Sequence, residues 1–101
     1  MMWMTSLTIR ELMRTFSRTS QFKKDVKRIR KRGKNLDKLR NVIEKLVSGE
    51  ELEPRYHEHI LQGQYANIRE CHIEPDWLLL YKLSKTELIL IRTGTHSDLF
   101  E

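Results

Sequence analysis

Cysteine, proline, glycine and long apolar runs are all scarce in this sequence. It contains one cysteine, two prolines and four glycines, and its longest apolar run is the five residues Trp77–Tyr81. A lone cysteine excludes an internal disulfide bond and fits a reducing compartment, and so short an apolar run cannot cross a bilayer. Residues 1–7 are too few, and lack the cationic start, for a secretory signal. These absences predict a cytoplasmic protein that has no membrane partner.

The chain has the length and composition of one globular domain. Its 101 residues are 39% apolar and 33% charged, which is typical of a folded rather than a disordered protein. No internal repeat or low-complexity linker divides it. We predict a single domain over residues 13–101, preceded by an N-terminal extension over residues 1–12 whose role the sequence leaves open.

Positive charge is concentrated in the first half of the chain. Residues 1–50 carry 14 Lys and Arg against 5 Asp and Glu, whereas residues 51–101 carry 5 against 9. The densest part lies between Lys23 and Lys34 and is almost free of acids. Such a cluster attracts a polyanion, namely nucleic acid, an acidic membrane surface or an acidic protein. A solvated helix face that keeps the protein soluble is the plainer alternative, and we favour binding because the cluster is so dense.

Two helices and four strands are predicted along the chain. A strand near Met13–Ser17 is followed by one helix from its N-cap Ser20 to Gly33 and by another from its N-cap Asn35 to Gly49, each with an apolar stripe at helical spacing. An irregular loop follows to Gly63. Three strands are predicted next, namely Tyr65–Ile73, Trp77–Leu83 and Leu88–Arg92. Ser97 is a candidate cap for a final helical turn.

The order β-α-α-β-β-β predicts an α+β fold. An N-terminal helical hairpin should pack on one face of an antiparallel sheet of about four strands, because short connections join neighbouring antiparallel strands. The middle strand Trp77–Leu83 contains three consecutive leucines, so it should be central and covered on both faces. Polar strand residues are then expected near the face opposite the helices.

Residues suited to metal-free RNA cleavage fall in or beside the C-terminal strands. Such cleavage needs a base for the ribose 2′-hydroxyl, an acid for the leaving 5′-oxygen and a cation for the phosphorane. Histidine serves either proton transfer, aspartate can act as a base or orient a histidine, and arginine holds two phosphate oxygens. The candidates are His59, His72, Asp76, Arg92 and His96.

On residue types alone these candidates are a weak signal. A single histidine on a strand is usually structural, and Trp77 at the start of an apolar strand is more often a core residue than a platform for RNA bases, a function that Phe100 could also serve. A metal site is a further alternative, but the spacing fits no standard zinc motif. Its ligands would be His57, His59, Cys71 and His72.

Several separated segments resemble one known family. Residues 68–82, IRECHIEPDWLLLYK, resemble the H-x-E-P-D-W-x-L-x-Y-K signature of YafQ-type toxins of the RelE/ParE superfamily. Residues 92–100, RTGTHSDLF, resemble the R-T-G-T-H-x-x-L-F ending of that family, and residues 59–63, HILQG, are similar to its H-x-L-x-G loop. The resemblance covers roughly residues 14–100. It departs from the family pattern in the N-terminal extension and at Ile60, where many members have proline.

The resemblance implies a RelE-like, microbial-RNase-like fold and an endoribonuclease of a type II toxin-antitoxin system. Members enter the ribosomal A site and cleave messenger RNA there, without a metal or an organic cofactor. A cognate antitoxin holds the toxin in check, and the complex commonly binds operator DNA through the antitoxin. The expected partners are therefore the antitoxin, the ribosome and messenger RNA, with operator DNA reached only through the complex.

The resemblance also implies roles for the candidate residues. We expect His96 to be the general acid, Asp76 or His72 to take the 2′-proton and Arg92 to stabilise the phosphorane. His59 should contact phosphate or support the base. The side chains of Trp77 and Phe100 should shape the nucleotide pocket and stack on the base that it binds. A basic first helix should grip ribosomal RNA, through Lys23, Lys24, Lys27, Arg28, Arg30, Lys31 and Arg32.

Three other functions are also compatible with this sequence. A ParE-like toxin of the same superfamily would poison DNA gyrase without cutting RNA, and it has no need of an acid-base set. A non-catalytic nucleic-acid-binding module would use the basic helices and would tolerate loss of His96 or Arg92. A degenerate toxin that keeps only its fold and its antitoxin binding is a third alternative, which the intact motifs disfavour.

Overall fold

Five strands and three helices form the part of the chain that the computed structural model describes, which is residues 13–65 and 67–101. The predicted N-terminal extension lies outside these residues. No helix in the described ranges is both long enough and apolar enough to cross a membrane. In chain order the elements are β1 (Thr15–Arg18), α1 (Ser20–Lys31), α2 (Leu36–Val47), β2 (His59–Ile60), β3 (Arg69–Glu74), β4 (Trp77–Leu83), β5 (Glu87–Gly94) and α3 (His96–Phe100).

Side-chain caps and glycines set the ends of the two long helices. The N-cap of α1 is Thr19 and not Ser20, because the Thr19 hydroxyl accepts a 2.9 Å hydrogen bond from the Phe22 amide. After α1, Gly33 adopts a left-handed conformation with φ of +83°, as predicted, and its N–H bonds the carbonyl of Arg30. Asn35 caps α2 by accepting from the backbone N–H of Asp37 at 3.0 Å, which confirms that prediction.

The sheet is mixed and has five strands in the order β1-β5-β4-β3-β2. The prediction of an α+β fold is confirmed, but the all-antiparallel sheet of about four strands is wrong in two respects. Strand β1 pairs in parallel with β5, because the two helices carry the chain from β1 to β2 at the far edge of the sheet and the antiparallel strands β2, β3 and β4 then lead back to β5 beside β1. A fifth strand, β2, is only two residues long and lies within the segment that was predicted to be a loop.

The C-terminal elements differ from prediction mainly at their boundaries. Strand β4 has the predicted bounds, whereas β3 begins at Arg69 because residues 63–65 form a turn of 3₁₀ helix. Strand β5 extends to Gly94. The cap of the last helix is Thr95 and not Ser97, since the Thr95 side chain and that of Asp98 bond each other's backbone N–H in a capping box.

Strand β4 lies at the centre of the fold and is buried on both faces, as its leucine run predicts. Trp77, Leu79 and Tyr81 belong to the core that Phe22 and Ile29 of α1 and three residues of α2 complete, so both long helices pack on one face of the sheet. The opposite face has a smaller core, in which Leu78 and Leu80 pack with Leu99 of α3. The helical hairpin and the short α3 therefore cover opposite faces of one sheet.

Cys71 is fully buried in the larger core. Burial, together with the negative charge of Glu58, raises the pKa of its thiol to about 12. A thiol in this environment is a small core side chain and not a nucleophile.

We therefore predict that Cys71 resists thiol reagents in the folded protein. At mildly alkaline pH an aromatic disulfide reagent should label native protein no faster than the protein unfolds, and should label protein in denaturant at the rate of a free thiol. Stopped-flow absorbance measures both rates. Rapid labelling of native protein would contradict the burial of Cys71.

Candidate active site

A buried carboxylate on β3 holds two of the predicted histidines. His59 on β2 is the direct cross-strand partner of Glu70, and His72 follows Glu70 by two residues on the same face of β3. His59 Nε2 lies 3.3 Å and His72 Nε2 lies 3.5 Å from the same oxygen, Oε1 of Glu70. The Glu70 side chain is 8% exposed, whereas that of His59 is 52% exposed. Glu70 therefore holds the Nε2 atoms of two solvent-accessible imidazoles beside one carboxylate oxygen.

The second nitrogen of each of these imidazoles also faces an acceptor. His59 Nδ1 is 3.0 Å from the carbonyl oxygen of His57, and His72 Nδ1 is 3.4 Å from that of Pro75. A doubly protonated imidazolium satisfies both of its acceptors, whereas a neutral ring can donate to only one of them. With Nδ1–H donated to its backbone carbonyl, a neutral ring has an Nε2 lone pair that can accept a proton from a substrate hydroxyl. This geometry suits groups that accept a proton beside a phosphate.

His96 is held by an aspartate from the turn between β3 and β4. Asp76 Oδ1 accepts from the backbone N–H of His96 at 3.0 Å and lies 2.7 Å from its Nδ1. Both hydrogen bonds lower the pKa of Asp76 below its usual value, and the one from the backbone N–H has the larger effect. With Nδ1–H donated to Asp76, the Nε2 of His96 is left for substrate. Asp76 is thus a poor base and a good orienting group, so His72 is the better of the two predicted acceptors for the 2′-proton.

Five ring side chains form a continuous row across the site. The ring centroids of His57 and His72 are 5.7 Å apart, and those of His72 and His96 are 6.1 Å apart. The row continues from His96 to Phe100 at 6.4 Å and from Phe100 to Tyr65 at 5.5 Å. Phe100 is 38% exposed, so its ring is accessible, and its stacking on a base stays a prediction. The row offers several faces on which unpaired bases can stack.

Asp25 of α1 fixes the predicted phosphate-binding arginine. Its carboxylate is fully buried and accepts hydrogen bonds from Arg92 Nε at 2.8 Å and from Arg92 Nη2 at 3.2 Å. It also accepts from the backbone N–H of Thr93 at 3.2 Å and from Arg28 Nη2 at 2.8 Å. The hydrogen bond to Asp25 is the main reason that the pKa of Arg92 is raised. Arg92 therefore stays charged and keeps one orientation.

Arg92 keeps part of its guanidinium free for a ligand. Its side chain is 27% exposed, and Nη1 donates to no atom within the described ranges. An arginine whose other nitrogens are already held loses little further freedom when it binds a phosphate oxygen.

Two of the seven cations predicted to contact ribosomal RNA form ion pairs within the protein. Arg28 pairs with buried Asp25, and Arg32 pairs with Asp98 through two hydrogen bonds of 2.6 and 3.0 Å. The contact with Arg32 holds the pKa of Asp98 well below its usual range. Arg28 Nε also lies 3.8 Å from Asp98 Oδ1, so both arginines tie the end of α1 to α3, and their predicted contact with ribosomal RNA stays a prediction. The remaining cations of the predicted set are exposed and have no acidic partner among residues 13–65 and 67–101; they are Lys23, Lys24, Lys27, Arg30 and Lys31.

Trp77 does not reach the surface of the site. Its side chain is 1% exposed, and its indole N–H donates to the Thr93 hydroxyl at 2.9 Å within the larger core. The prediction that Trp77 stacks on a nucleotide is therefore wrong, because odd-numbered residues of β4 face the helices. Trp77 instead supports the strand end that carries Arg92.

Three carboxylates that organise the site are not among the residues predicted from the sequence, namely Asp25, Glu70 and Asp98. Asp25 had a detectable signal, because it lies on the same helical stripe as Phe22 and Ile29, where an acid is unexpected. Glu70 lies two residues before His72 on the same face of β3, but its contact with His59 depends on the unpredicted strand β2. Nothing local in the sequence pairs Asp98 with a helix near the other end of the chain.

The alternative metal site is not assembled. Cys71 faces the helices, whereas His72 faces the opposite side of β3 because successive strand residues alternate. In the part of the chain that the structure describes, no group of three or more His, Cys, Asp or Glu side chains is placed to hold a metal ion.

Comparison with known proteins gives consistent matches over most of the chain. The model of the family described as "Bacterial toxin of type II toxin-antitoxin system, YafQ" matches residues 14–101. The mRNA interferase toxin YafQ of Escherichia coli is 40% identical over 90 residues, which cover 88% of this chain and 98% of the relative.

Solved structures of the same relative match the fold. The structure of YafQ from E. coli superposes with a TM-score of 0.84 at 39% identity, covering 87% of this chain and 99% of that one. The toxin in the E. coli DinJ-YafQ toxin-antitoxin complex gives a TM-score of 0.83 at 40% identity, covering 88% and 99%.

We predict that the contact between Asp25 and Arg92 is a strong coupling in the folded protein. Replacing Asp25 with Asn should lower the free energy of unfolding by about 3–5 kcal/mol, because it leaves two arginines without their buried counter-charge. A double-mutant cycle with Arg92→Ala, measured by urea unfolding, should give a coupling energy above about 1 kcal/mol.

A matched control is Glu44→Gln on the exposed face of α2, which should change stability by less than about 0.5 kcal/mol. Additive effects of the Asp25 and Arg92 substitutions would show that the two side chains do not interact in solution.

Proposed function

The chain belongs to the YafQ family of bacterial toxins from type II toxin-antitoxin systems, and we propose that it is a cytoplasmic endoribonuclease that cleaves messenger RNA on the ribosome. The proposed toxin domain spans residues 13–101. Its relatives are named mRNA interferase toxins, and one is solved in complex with an antitoxin. A cognate antitoxin is therefore the partner that holds this toxin in check.

One observation carries the proposal. His96, oriented by Asp76, lies across from His72 with ring centroids 6.1 Å apart, and the same strand end presents Arg92. A phosphodiester between the two rings has an acid on one side, a proton acceptor on the other and a fixed cation beside it. Such a set performs in-line attack by the 2′-hydroxyl and needs no metal.

The proposed reaction transfers two protons. His72, or His59 beside the same Glu70, takes the proton of the 2′-hydroxyl as its oxygen attacks phosphorus. His96 Nε2 donates a proton to the 5′-oxygen as the phosphorus–oxygen bond breaks. Arg92 Nη1 binds the non-bridging oxygens, where negative charge increases in the transition state. The products are a 2′,3′-cyclic phosphate on the upstream fragment and a 5′-hydroxyl on the downstream fragment.

The exposed cations of α1 give the proposed toxin a second nucleic-acid contact. Lys23, Lys24 and Lys27 with Arg30 and Lys31 project from a helix whose other face is buried against the sheet. We assign these five to ribosomal RNA phosphates, because phosphate contacts position a protein without reading sequence. Ribosome binding then presents the messenger to the histidines in a fixed geometry, which accelerates attack by a bound 2′-hydroxyl.

We predict that His96→Gln lowers messenger cleavage at least about a hundredfold, because the amide cannot supply a proton. Primer extension in a purified translation system measures the cuts. Ser97→Ala, the exposed neighbour on α3, is the control and should cut at the wild-type rate. Equal cutting by His96→Gln would overturn the acid role of His96. Intact messenger with the wild-type protein would overturn the nuclease function and favour gyrase poisoning or plain nucleic-acid binding.

Reversing charge at Lys23 and Lys27 should weaken ribosome binding about tenfold or more and reduce the slope of affinity against salt. Both side chains are exposed and form no ion pair within the described residues, so the fold should be unaffected. Sedimentation at several salt concentrations measures the affinity. Lys85→Glu, in the turn between β4 and β5, is the matched control. An unchanged affinity and slope for the double variant would exclude this face as the ribosome contact.

A further inference from the structure

A cavity of about 780 Å³ opens beside the histidine cluster. His59 and His72 form one wall of it, and Lys38 and Asn41 of α2, residues 55–57 and residues 73–75 form the rest. His96, Arg92 and Phe100 do not line it. The cavity is therefore an extension of the site on one side of His72. None of the proposed proton-transfer or phosphate-binding steps uses this space.

The wall of the cavity has the chemistry of a nucleotide site. Lys38 lines it with its ammonium held 2.8 Å from Glu74, and Arg55 stacks on the Tyr56 ring at 4.8 Å while remaining 68% exposed. Both cations are paired, Lys38 with Glu74 and Arg55 with Glu53 at 3.3 Å, and each is exposed enough to exchange its carboxylate partner for a phosphate oxygen. The exposed carboxamide of Asn41 carries both a donor and an acceptor, which is what the edge of a base requires. A volume of this size is large enough for a nucleotide.

A strained residue lies at the junction between the cavity and the histidines. His57 adopts a left-handed conformation with φ of +47°, which is uncommon for a residue with a side chain. In this conformation its N–H bonds the carbonyl of Pro54, and its own carbonyl accepts from His59 Nδ1. Its ring then stands edge-on to His72. Strain of this kind is kept where it places side chains for function.

We propose that this cavity binds the nucleotide on the 5′ side of the cleaved bond, with Asn41 against the edge of its base and with Arg55 and Lys38 against the preceding phosphate. The inference rests on the proposed function. The 2′-hydroxyl that attacks belongs to the 5′ nucleotide, and the groups that take its proton, His72 and His59, form the wall of the cavity. His96 protonates the 5′-oxygen of the next nucleotide, so that nucleotide lies on the other side of His72, towards Phe100.

The first test compares cutting of messengers that differ only in the nucleotide 5′ of the cut. The wild-type protein should discriminate between the best and the worst base about tenfold or more, and Asn41→Ala should reduce this ratio below about threefold. The preference at the nucleotide 3′ of the cut should not change. Arg40→Ala, its exposed neighbour on α2, is the matched control and should keep both preferences. An unchanged 5′ preference in Asn41→Ala would overturn the proposal.

A second measurement does not depend on cleavage. A trinucleotide with 2′-deoxyribose at the position of attack is titrated into ¹⁵N-labelled protein and followed by NMR. The Asn41 side-chain amide and the backbone amides of Arg55 and His57 should shift, and Arg55→Ala should weaken binding about tenfold. Shifts confined to residues around His96 and Phe100 would overturn the subsite. Binding in the cavity by a protein that cuts no messenger would retain the subsite and reject the nuclease function.

Discussion

The buried carboxylate of Asp25 is the interaction on which the arrangement of the site depends. It joins α1 to the end of β5 by accepting from the Arg92 guanidinium and from the backbone N–H of Thr93. The Thr93 hydroxyl in turn donates to the carbonyl of Leu78 and accepts from the indole of Trp77, so the network continues into β4. Because β5 leads directly into α3, the contact that orients Arg92 also fixes the strand end from which His96 begins.

A carboxylate also orients the other functional side chains of the site, namely the histidines that accept or donate a proton. Glu70 holds His59 and His72, and Asp76 holds His96. The acids are therefore supports, and the imidazoles present a nitrogen to substrate. This division agrees with the lowered pKa of Asp76, since a carboxylate that stays ionised is a weak base and a strong hydrogen-bond acceptor. Arg28 and Arg32 pair with Asp25 and Asp98, so part of the positive charge in this segment stabilises the fold.

Local rules predicted what depends on neighbours in sequence. The helix ends at Gly33 and Asn35 follow from cap chemistry, and the burial of β4 follows from its run of leucines. The parallel pairing of β1 could not be predicted, because it depends on where the helical hairpin and the antiparallel strands β2 to β4 bring β5 relative to β1. Trp77 was misassigned since a motif match does not reveal which strand face a residue occupies. Asp25 pairs with a residue 67 positions later, and no periodicity signals such a contact.

The proposed chemistry makes the 2′-hydroxyl of one messenger nucleotide the nucleophile, and replacing that hydroxyl with hydrogen tests this most directly. A messenger with a single 2′-deoxynucleotide at the 5′ side of the mapped cut would be given to ribosomes and wild-type protein, and primer extension would measure cleavage there. The cut should disappear at that position, while cuts at unmodified codons of the same messenger should persist. Cleavage of the deoxy position at the normal rate would show that another nucleophile attacks the phosphate, and would contradict the proposed roles of His72, His59 and His96.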